Sequence, residues 1–446
     1  MTELAVLDVG KTNAKLIVFS PDGKIVEQLR HPQEVVTSGG LRVLDADGIH
    51  RWLAAALGDL RRRRDLGGLM ISTHGCSCAL IDADGELAAP ILDYEQEIPA
   101  AANAEFAAMA PPFAETYSPE LPCGLNAGRA IFFQEWLDPT LARRTRRMFT
   151  YPQYWGWRLS GAFASEISFL GCHSHLWNPL ARRFSSLAVK RGWAEKFPPF
   201  APAGALLGER DGLAIHNGVH DSNAALYYYR SLGFSDFTLI STGTWVIIFN
   251  PDCPLDRLDP KRDMLANVAV DGQPVATSRF MGGREYDVVS GQARLEVSEA
   301  MLRSAIAGDQ MALPSFAAGG PFPAQAGRLI GPAPRTAAER AAIATLYVAM
   351  MTAKSLDLVG SARDIVLDGG LAHNAALCAA LAALRPQQTL YCNTNAEGTA
   401  MGAAALAYRA LGRASVFPRE IDKVEPWRLP GLAAYFARWL ERVEAP

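Results

Sequence analysis

Two stretches more than two hundred residues apart share one plan, and that repeat constrains the fold more than any other feature of the chain. Residues 4–9, apolar except for Asp8, lead into Gly10, Lys11, Thr12 and Asn13, and a second mostly apolar stretch follows over 14–19. Residues 237–240 lead in the same way into Ser241, Thr242, Gly243 and Thr244, with a second apolar run over 245–249. Each reads as a strand, a tight turn of glycine and small hydroxyl residues, and a returning strand. The first copy continues through Pro21-Asp22-Gly23, a turn signal, into a third strand over 24–29. Two related domains are expected, with a division near Gly233.

The intervening pattern alternates strands and helices, which indicates an α/β fold. An amphipathic helix is expected over 49–64, strands over 68–72 and 76–81, and helices over 130–136 and 154–159. Residues 317–335, rich in glycine, proline and alanine, read as an irregular connection. Thr336 followed by Glu339 has the form of a capping box for a long helix to about residue 359. A strand over 364–367 then meets Asp368-Gly369-Gly370, and a helix follows over 374–384.

Composition excludes several classes. The 446 residues carry a formal net charge of -3, so no basic field draws nucleic acid. The start lacks a basic segment and its apolar run stops at Asp8, unlike a secretion signal. No uncharged apolar stretch of about 18 residues is present, so no membrane span is expected. Seven cysteines without a framework spacing suit reduced thiols in a cytoplasm. The run from Arg61 to Arg64 reads as the solvated end of a helix, where cations complement the dipole.

Five motifs carry chemistry. The Asp8-x-Gly10-x-Thr12-Asn13 turn offers close backbone approach and hydroxyl and amide donors to a phosphate. Lys15 adds a point cation, and Asp8 can hold the water shell of a Mg2+ ion. Ser241-Thr242-Gly243-Thr244 repeats that character. Asp368-Gly369-Gly370 with Asn374 sits at a strand-to-helix switch, where open α/β sheets bind ligands; a double glycine admits a flat base or an α-phosphate. Asp221, in Gly218-Val219-His220-Asp221-Ser222, is either a base near an attacking hydroxyl or the N-cap of a helix over 224–229. His74, Cys76 and Cys78 invite a zinc reading. On a strand they would share one face but lie too far apart to converge on one ion, and His74 as a sugar partner is preferred.

In order and spacing, these motifs resemble the FGGY carbohydrate kinases over about residues 4–410. The set also includes Gln153-Tyr154-Trp155-Gly156-Trp157-Arg158-Leu159-Ser160-Gly161 and the run from Glu397 to Ala404. Within the family, the Gly-His-Asp-Ser core and the Gln-Tyr-Trp segment look most like the rhamnulokinase and fuculokinase branch. The resemblance implies two actin-like (ribonuclease H-like) α/β domains with an active-site cleft between them. Residues 1–232 would bind sugar and supply the base, and residues 233–446 would bind ATP. It implies Asp221 as the catalytic base and Asp8 as the carboxylate on the Mg2+ side. Gly10, Lys11, Thr12, Asn13 and Lys15 match the first phosphate loop, Gly243 and Thr244 the second, and Gly370 and Asn374 the adenosine site. His74 and Gly75 match the sugar strand, with His220 and Ser222 beside the base.

Two departures concern the sugar. The family's Trp-x-Asp-x-Arg is replaced by the stretch from Leu92 to Glu97, which leaves Asp93 as the candidate. Arg279 stands where rhamnulokinases have Asn, which points away from rhamnulose and toward an anionic or more oxidised sugar. The expected activity is ATP-dependent phosphorylation of a small ketose of the rhamnulose, fuculose, xylulose or ribulose type. A non-catalytic sugar or nucleotide sensor on the same fold is the alternative, and a homodimer is left open.

Overall fold

The computed structural model describes residues 2–444 apart from 294, 395–396, 414–416 and 418–420. The chain forms two units. The first comprises Met1–Phe234, Ala266–Pro274 and Gly398–Arg419; the second comprises Ser235–Leu265, Val275–Glu397 and Glu420–Pro446. The changeover after Phe234 lies beside Gly233. The segments 266–274 and 398–419, however, belong with the first unit rather than with the residues that flank them in sequence.

In the first unit the strand Glu3–Val9 runs antiparallel to Asn13–Phe19, which pairs in turn with Ile25–Pro32 at the sheet edge. On its other side Glu3–Val9 runs parallel to Leu66–Thr73. Residues 4–7 are wholly buried, as expected for a central strand covered on both faces. Ile25 and Val26 on the edge strand are exposed. Leu66–Thr73 is flanked by Leu213–His216 and, further along, by Val219–His220. The register sets Val9, Thr73 and His220 side by side at the carboxyl ends of three parallel strands.

The helix Ala46–Arg63 buries Ala46, Ile49, Leu53, Ala56 and Leu60 against this sheet, the 3–4 spacing of one helical face. It starts three residues earlier than its apolar period suggests, because the Asp45 side chain accepts from Gly48 N–H at 2.8 Å and caps the first turn. Arg62 and Arg63 pair with Asp59, while Arg63 and Arg64 pair with Glu27.

The second unit repeats the arrangement. Phe237–Thr242 is antiparallel to Val246–Asn250, which pairs with Pro274–Phe280, and it is parallel to Asp364–Gly369, which continues to Leu390–Asn393. Ala337–Leu358 is its central helix. Thr336 Oγ1 accepts from Glu339 N–H at 3.1 Å, and the Glu339 carboxylate accepts from Arg335 N–H at 2.6 Å. The reciprocal bond thus reaches one residue further out than in an ordinary capping box. By length and composition this helix is apolar enough to cross a membrane, but 83% of its most apolar window is buried within the protein.

Two local expectations are corrected. The strand expected over 76–81 covers only Cys78–Ile81. Cys76 has φ 76°, a left-handed conformation that no strand contains, so His74, Cys76 and Cys78 do not share a strand face. The helix expected over 154–159 runs Tyr151–Ser160, with Pro152 in its first turn and Gly161, at φ 76°, ending it. All seven cysteines are free thiols.

Candidate active site

The first turn is a tight loop in which Gly10 N–H donates to the Asn13 carbonyl at 3.0 Å. Thr12 and Asn13 are exposed at its tip, joined by a 3.1 Å bond from Asn13 Nδ2 to Thr12 Oγ1. Asp8 and Lys15 are register partners across the hairpin. Lys11, expected in the first phosphate loop, has protein partners in this structure. It is ion-paired to Asp93, whose side chain is wholly buried, and lies 3.3 Å from Glu95 and 4.5 Å above the Tyr94 ring. Asp93 also accepts from Glu95 N–H at 2.6 Å. Its carboxylate is thus engaged by protein groups from two sides, an arrangement that a buried charge requires.

His74 follows the carboxyl end of Leu66–Thr73, where its N–H donates to the Val9 carbonyl at 2.9 Å. Its Nδ1 lies 2.8 Å from the Gly75 carbonyl. A carbonyl only accepts, so Nδ1 carries the proton and Nε2 is an acceptor. That Nε2 is buried and has no hydrogen-bond partner. The ring packs against Tyr94 and Tyr151, and burial holds its pKa below the usual imidazole value. Among the described residues no group of three metal-ligating side chains forms at His74 or elsewhere.

Asp221 opens the helix Asp221–Ser231 and so lies inside it, with His220 at the N-cap position. The capping role considered from sequence is therefore not the one it occupies. Its side chain keeps 31% exposure. His220 and Ser222, expected beside the sugar, both contact Asp221 itself: His220 Nε2 at 3.2 Å and Ser222 N at 2.6 Å from Oδ1. Gly75 is required where it stands, since a Cβ there would lie 2.8 Å from His220 Nε2.

In the second unit the Gly/Thr turn and the double-glycine loop line one cavity of about 800 Å3. Gly243, Thr244, Gly370, His373 and Asn374 form one side; Tyr286, Leu295, Val297 and Trp427 supply apolar wall. That volume lies in the usual range for small-molecule sites. A Cβ on Gly243 or Gly370 would meet nothing within 4 Å, so both backbones face open space. Thr242 ties the two loops together: its hydroxyl donates to the Asp368 carbonyl at 2.6 Å and accepts from Leu371 N–H at 3.0 Å. Gly369, at φ 91°, is fixed by close approach, because a Cβ would fall 2.0 Å from the Thr242 carbonyl oxygen. Asn374 caps the helix Ala375–Leu384 through Oδ1, at 3.0 Å from Leu377 N–H, which leaves its amide nitrogen for a ligand.

Arg279 belongs to this second unit, where its Nε donates to Asp263 at 2.8 Å and its guanidinium lies 4.6 Å from the Trp245 ring. A second cavity, about 660 Å3 in the first unit, is lined by Asp47, Glu86 and Arg210 together with Tyr154, Arg158 and Gly161 of the aromatic motif, and holds none of the candidate site residues.

Sequence reasoning missed the cavity wall of Tyr286, Leu295, Val297 and Trp427, which carries no motif. Arg284 and Asp287, which also line the cavity, were within reach. They follow Gly282-Gly283, and a Cβ on Gly283 would lie 2.1 Å from the Gly243 carbonyl, so that pair marks a helix seated on the turn.

Twin α/β units built on Gly/Thr turns, one of which lines a cavity of small-molecule size, define the fold. Residues 234–415 match the C-terminal domain of the FGGY carbohydrate kinases. A carbohydrate kinase structure from Novosphingobium aromaticivorans is 34% identical, covers 99% of this chain and 98% of its own, and superposes with a TM-score of 0.89. The chain belongs to the FGGY carbohydrate kinase family. A ligand-bound xylulose kinase from Lactobacillus acidophilus has the same fold, with TM-score 0.82 and 16% identity over 99% of this chain and 98% of its own. L-Fuculokinase of Escherichia coli K12 is 23% identical over 282 residues, a match that spans 57% of each chain.

Proposed function

We propose that this protein transfers the γ-phosphoryl group of ATP to a hydroxyl of a small ketose. The observation that carries the reading is the second-unit cavity, where the Gly243–Thr244 turn and the Gly370–Asn374 loop, each chosen from sequence as nucleotide contacts, line one space. In this reading Gly370 and the Asn374 amide nitrogen hold the nucleoside, and Gly243 and Thr244 hold phosphate oxygens. Thr12 and Asn13, with Lys15 across the hairpin, are the candidate phosphate contacts of the first unit.

The acceptor sugar is assigned to the first unit. His74 Nε2, buried and unpartnered, supports this assignment as an acceptor for a sugar hydroxyl. Asp221 takes the proton of the attacking hydroxyl and orients its oxygen. Asp8 fits Mg2+, which needs only one or two carboxylates beside phosphate and water; the ion would neutralise charge on the β- and γ-oxygens. The ketose class follows the match to L-fuculokinase.

The test is ATP consumption across L-fuculose, L-rhamnulose, D-xylulose, D-ribulose, gluconate and glycerol. A ketose should give the highest kcat/KM; turnover confined to gluconate or glycerol would refute the ketose assignment. Asp221→Asn should melt at the wild-type temperature and lose about 10²–10⁴-fold in kcat, the usual worth of a general base. A fully active variant would end the assignment of Asp221.

A further inference from the structure

Three groups converge on one oxygen of the Asp221 carboxylate. Ser222 N–H reaches Oδ1 at 2.6 Å, Ser222 Oγ lies at 3.2 Å, and His220 Nε2 at 3.2 Å. Which ring nitrogen of His220 carries the proton follows from its other contact. Asn223 Nδ2 lies 3.0 Å from His220 Nδ1 and 3.4 Å from the Ser168 carbonyl oxygen. The carbonyl only accepts, so the nitrogen end of the carboxamide faces it and also donates to Nδ1. Nδ1 is therefore the acceptor, and the proton on Nε2 points at Asp221.

The ring has little freedom. It is 4% exposed, its edge meets the Phe169 ring at 6.1 Å, and Gly75 leaves it the space a methyl group would fill. Burial lowers the His220 pKa, which keeps the ring neutral at physiological pH. Ser168, whose carbonyl sets the Asn223 orientation, is itself pinned by Glu166, which accepts from Ser168 N–H at 2.9 Å and from its hydroxyl at 2.6 Å.

We infer that His220 is a positioning residue for phosphoryl transfer: its Nε2–H, fixed by Asn223, saturates Oδ1 of Asp221 and leaves Oδ2 as the oxygen that receives the sugar proton. The inference rests on Asp221 being the base. A carboxylate with two equivalent free oxygens can rotate between several acceptor geometries. Loading one oxygen with three donors removes that freedom and aims the other. A neutral donor also depresses the basicity of the carboxylate less than an imidazolium would.

Two measurements test this. The first needs no sugar: long-range ¹H–¹⁵N correlation of the uniformly labelled protein at pH 7.5, with His220 assigned by its loss in His220→Gln. A single Nε2–H tautomer is expected, giving way to a mixture in Asn223→Leu. An Nδ1–H tautomer or an imidazolium in the wild type would overturn the inference. The second is ADP release from MgATP with the best acceptor of the ketose panel. His220→Leu should lower kcat about 10- to 100-fold, the range for a hydrogen bond to a charged group, with the KM for ATP unchanged. His220→Gln, whose Nε2 can take the place of the imidazole Nε2, should recover at least about tenfold of that loss. His220→Leu should cost nothing more in an Asp221→Asn background.

Equal kcat in the Leu and Gln variants, or additive losses in the double variant, would overturn the positioning role. If Asp221→Asn is inactive while His220→Leu keeps full turnover, only this inference fails. If Asp221→Asn is fully active, the base assignment falls and this inference with it. Should the Leu variant not fold, the tautomer and the Gln variant decide.

Discussion

Replacing Gly402 by alanine separates packing from helix propensity in one substitution. Gly402 lies within the helix Gly398–Ala410, which crosses Asp221–Ser231 in the first unit. A Cβ at Gly402 would sit 1.8 Å from the Ala224 carbonyl oxygen and 2.5 Å from its carbon. Both are backbone atoms, so no rotamer change relieves the clash, and ordinary contact begins at 3.4 Å. The two helices must part by about 1.5 Å, an overpacking that costs ~3 kcal/mol or more. Alanine returns ~1 kcal/mol of helix propensity, so the net loss is about 2 kcal/mol.

For a unit of this size that lowers Tm by about 4–8 °C. Because Ala224 is one turn from Asp221, the shift reaches the carboxylate proposed as the base. A 1 Å misplacement there costs about 10²-fold in kcat. The second-unit cavity is untouched, so the Kd for ATP should hold. Calorimetry and ADP-release kinetics on Gly402→Ala make the comparison. Gly58→Ala serves as the control: it lies in the exposed face of another helix, where a Cβ would meet only the tip of Arg62 at 3.9 Å. It should raise stability by up to ~1 kcal/mol. If Gly402→Ala raises Tm as Gly58→Ala does, the close helix crossing is refuted.

Trp427 is predicted to form part of the nucleotide wall, so its fluorescence should change on ATP addition and Trp427→Ala should weaken ATP binding about tenfold, the loss of a buried aromatic contact. Unaltered titrations by both criteria would remove it from the site. Glu166 predicts a pH dependence of stability. Burial lifts its carboxyl from 4.5 to about 7 in the folded protein. Between those values the folded state holds a proton that the unfolded state has released. The stability is therefore full below about pH 4.5 and lost as pH rises through about 7, by roughly 3 kcal/mol at most. Urea melts should show the wild type losing ground to Glu166→Gln between pH 5 and pH 8; a difference that does not change with pH would refute it.

Much of this protein is written in short stretches of its sequence, because the forces involved act within a few residues. The twin strand–turn–strand units are legible since a glycine-bearing turn between apolar runs is a local commitment of the backbone. Thr336 and Glu339 announce the Ala337–Leu358 helix because a cap and its partner lie one turn apart. Asp221 is legible in its Gly-Val-His-Asp-Ser setting as a residue of interest. The sequence nevertheless left open whether it caps a helix or faces a substrate.

What only the tertiary structure decided depends on partners that no local pattern links. Lys11 reads as a phosphate ligand from its place in the turn. Only the fold gives it the buried carboxylate of Asp93, 82 residues later, as a partner, because a buried charge is tolerated only when paired. The run from Glu397 to Ala404 looks like a sequence motif, yet Gly402 owes its place to the Ala224 carbonyl of a helix far earlier in the chain. Arg279 reads as a sugar contact from sequence; only the fold shows that Asp263 and Trp245 of the second unit pack against it. The return of residues 398–419 to the first unit depends on contacts with segments far away in sequence, which no local pattern records. Periodicity says which face of a helix is buried; only the assembled fold says against what.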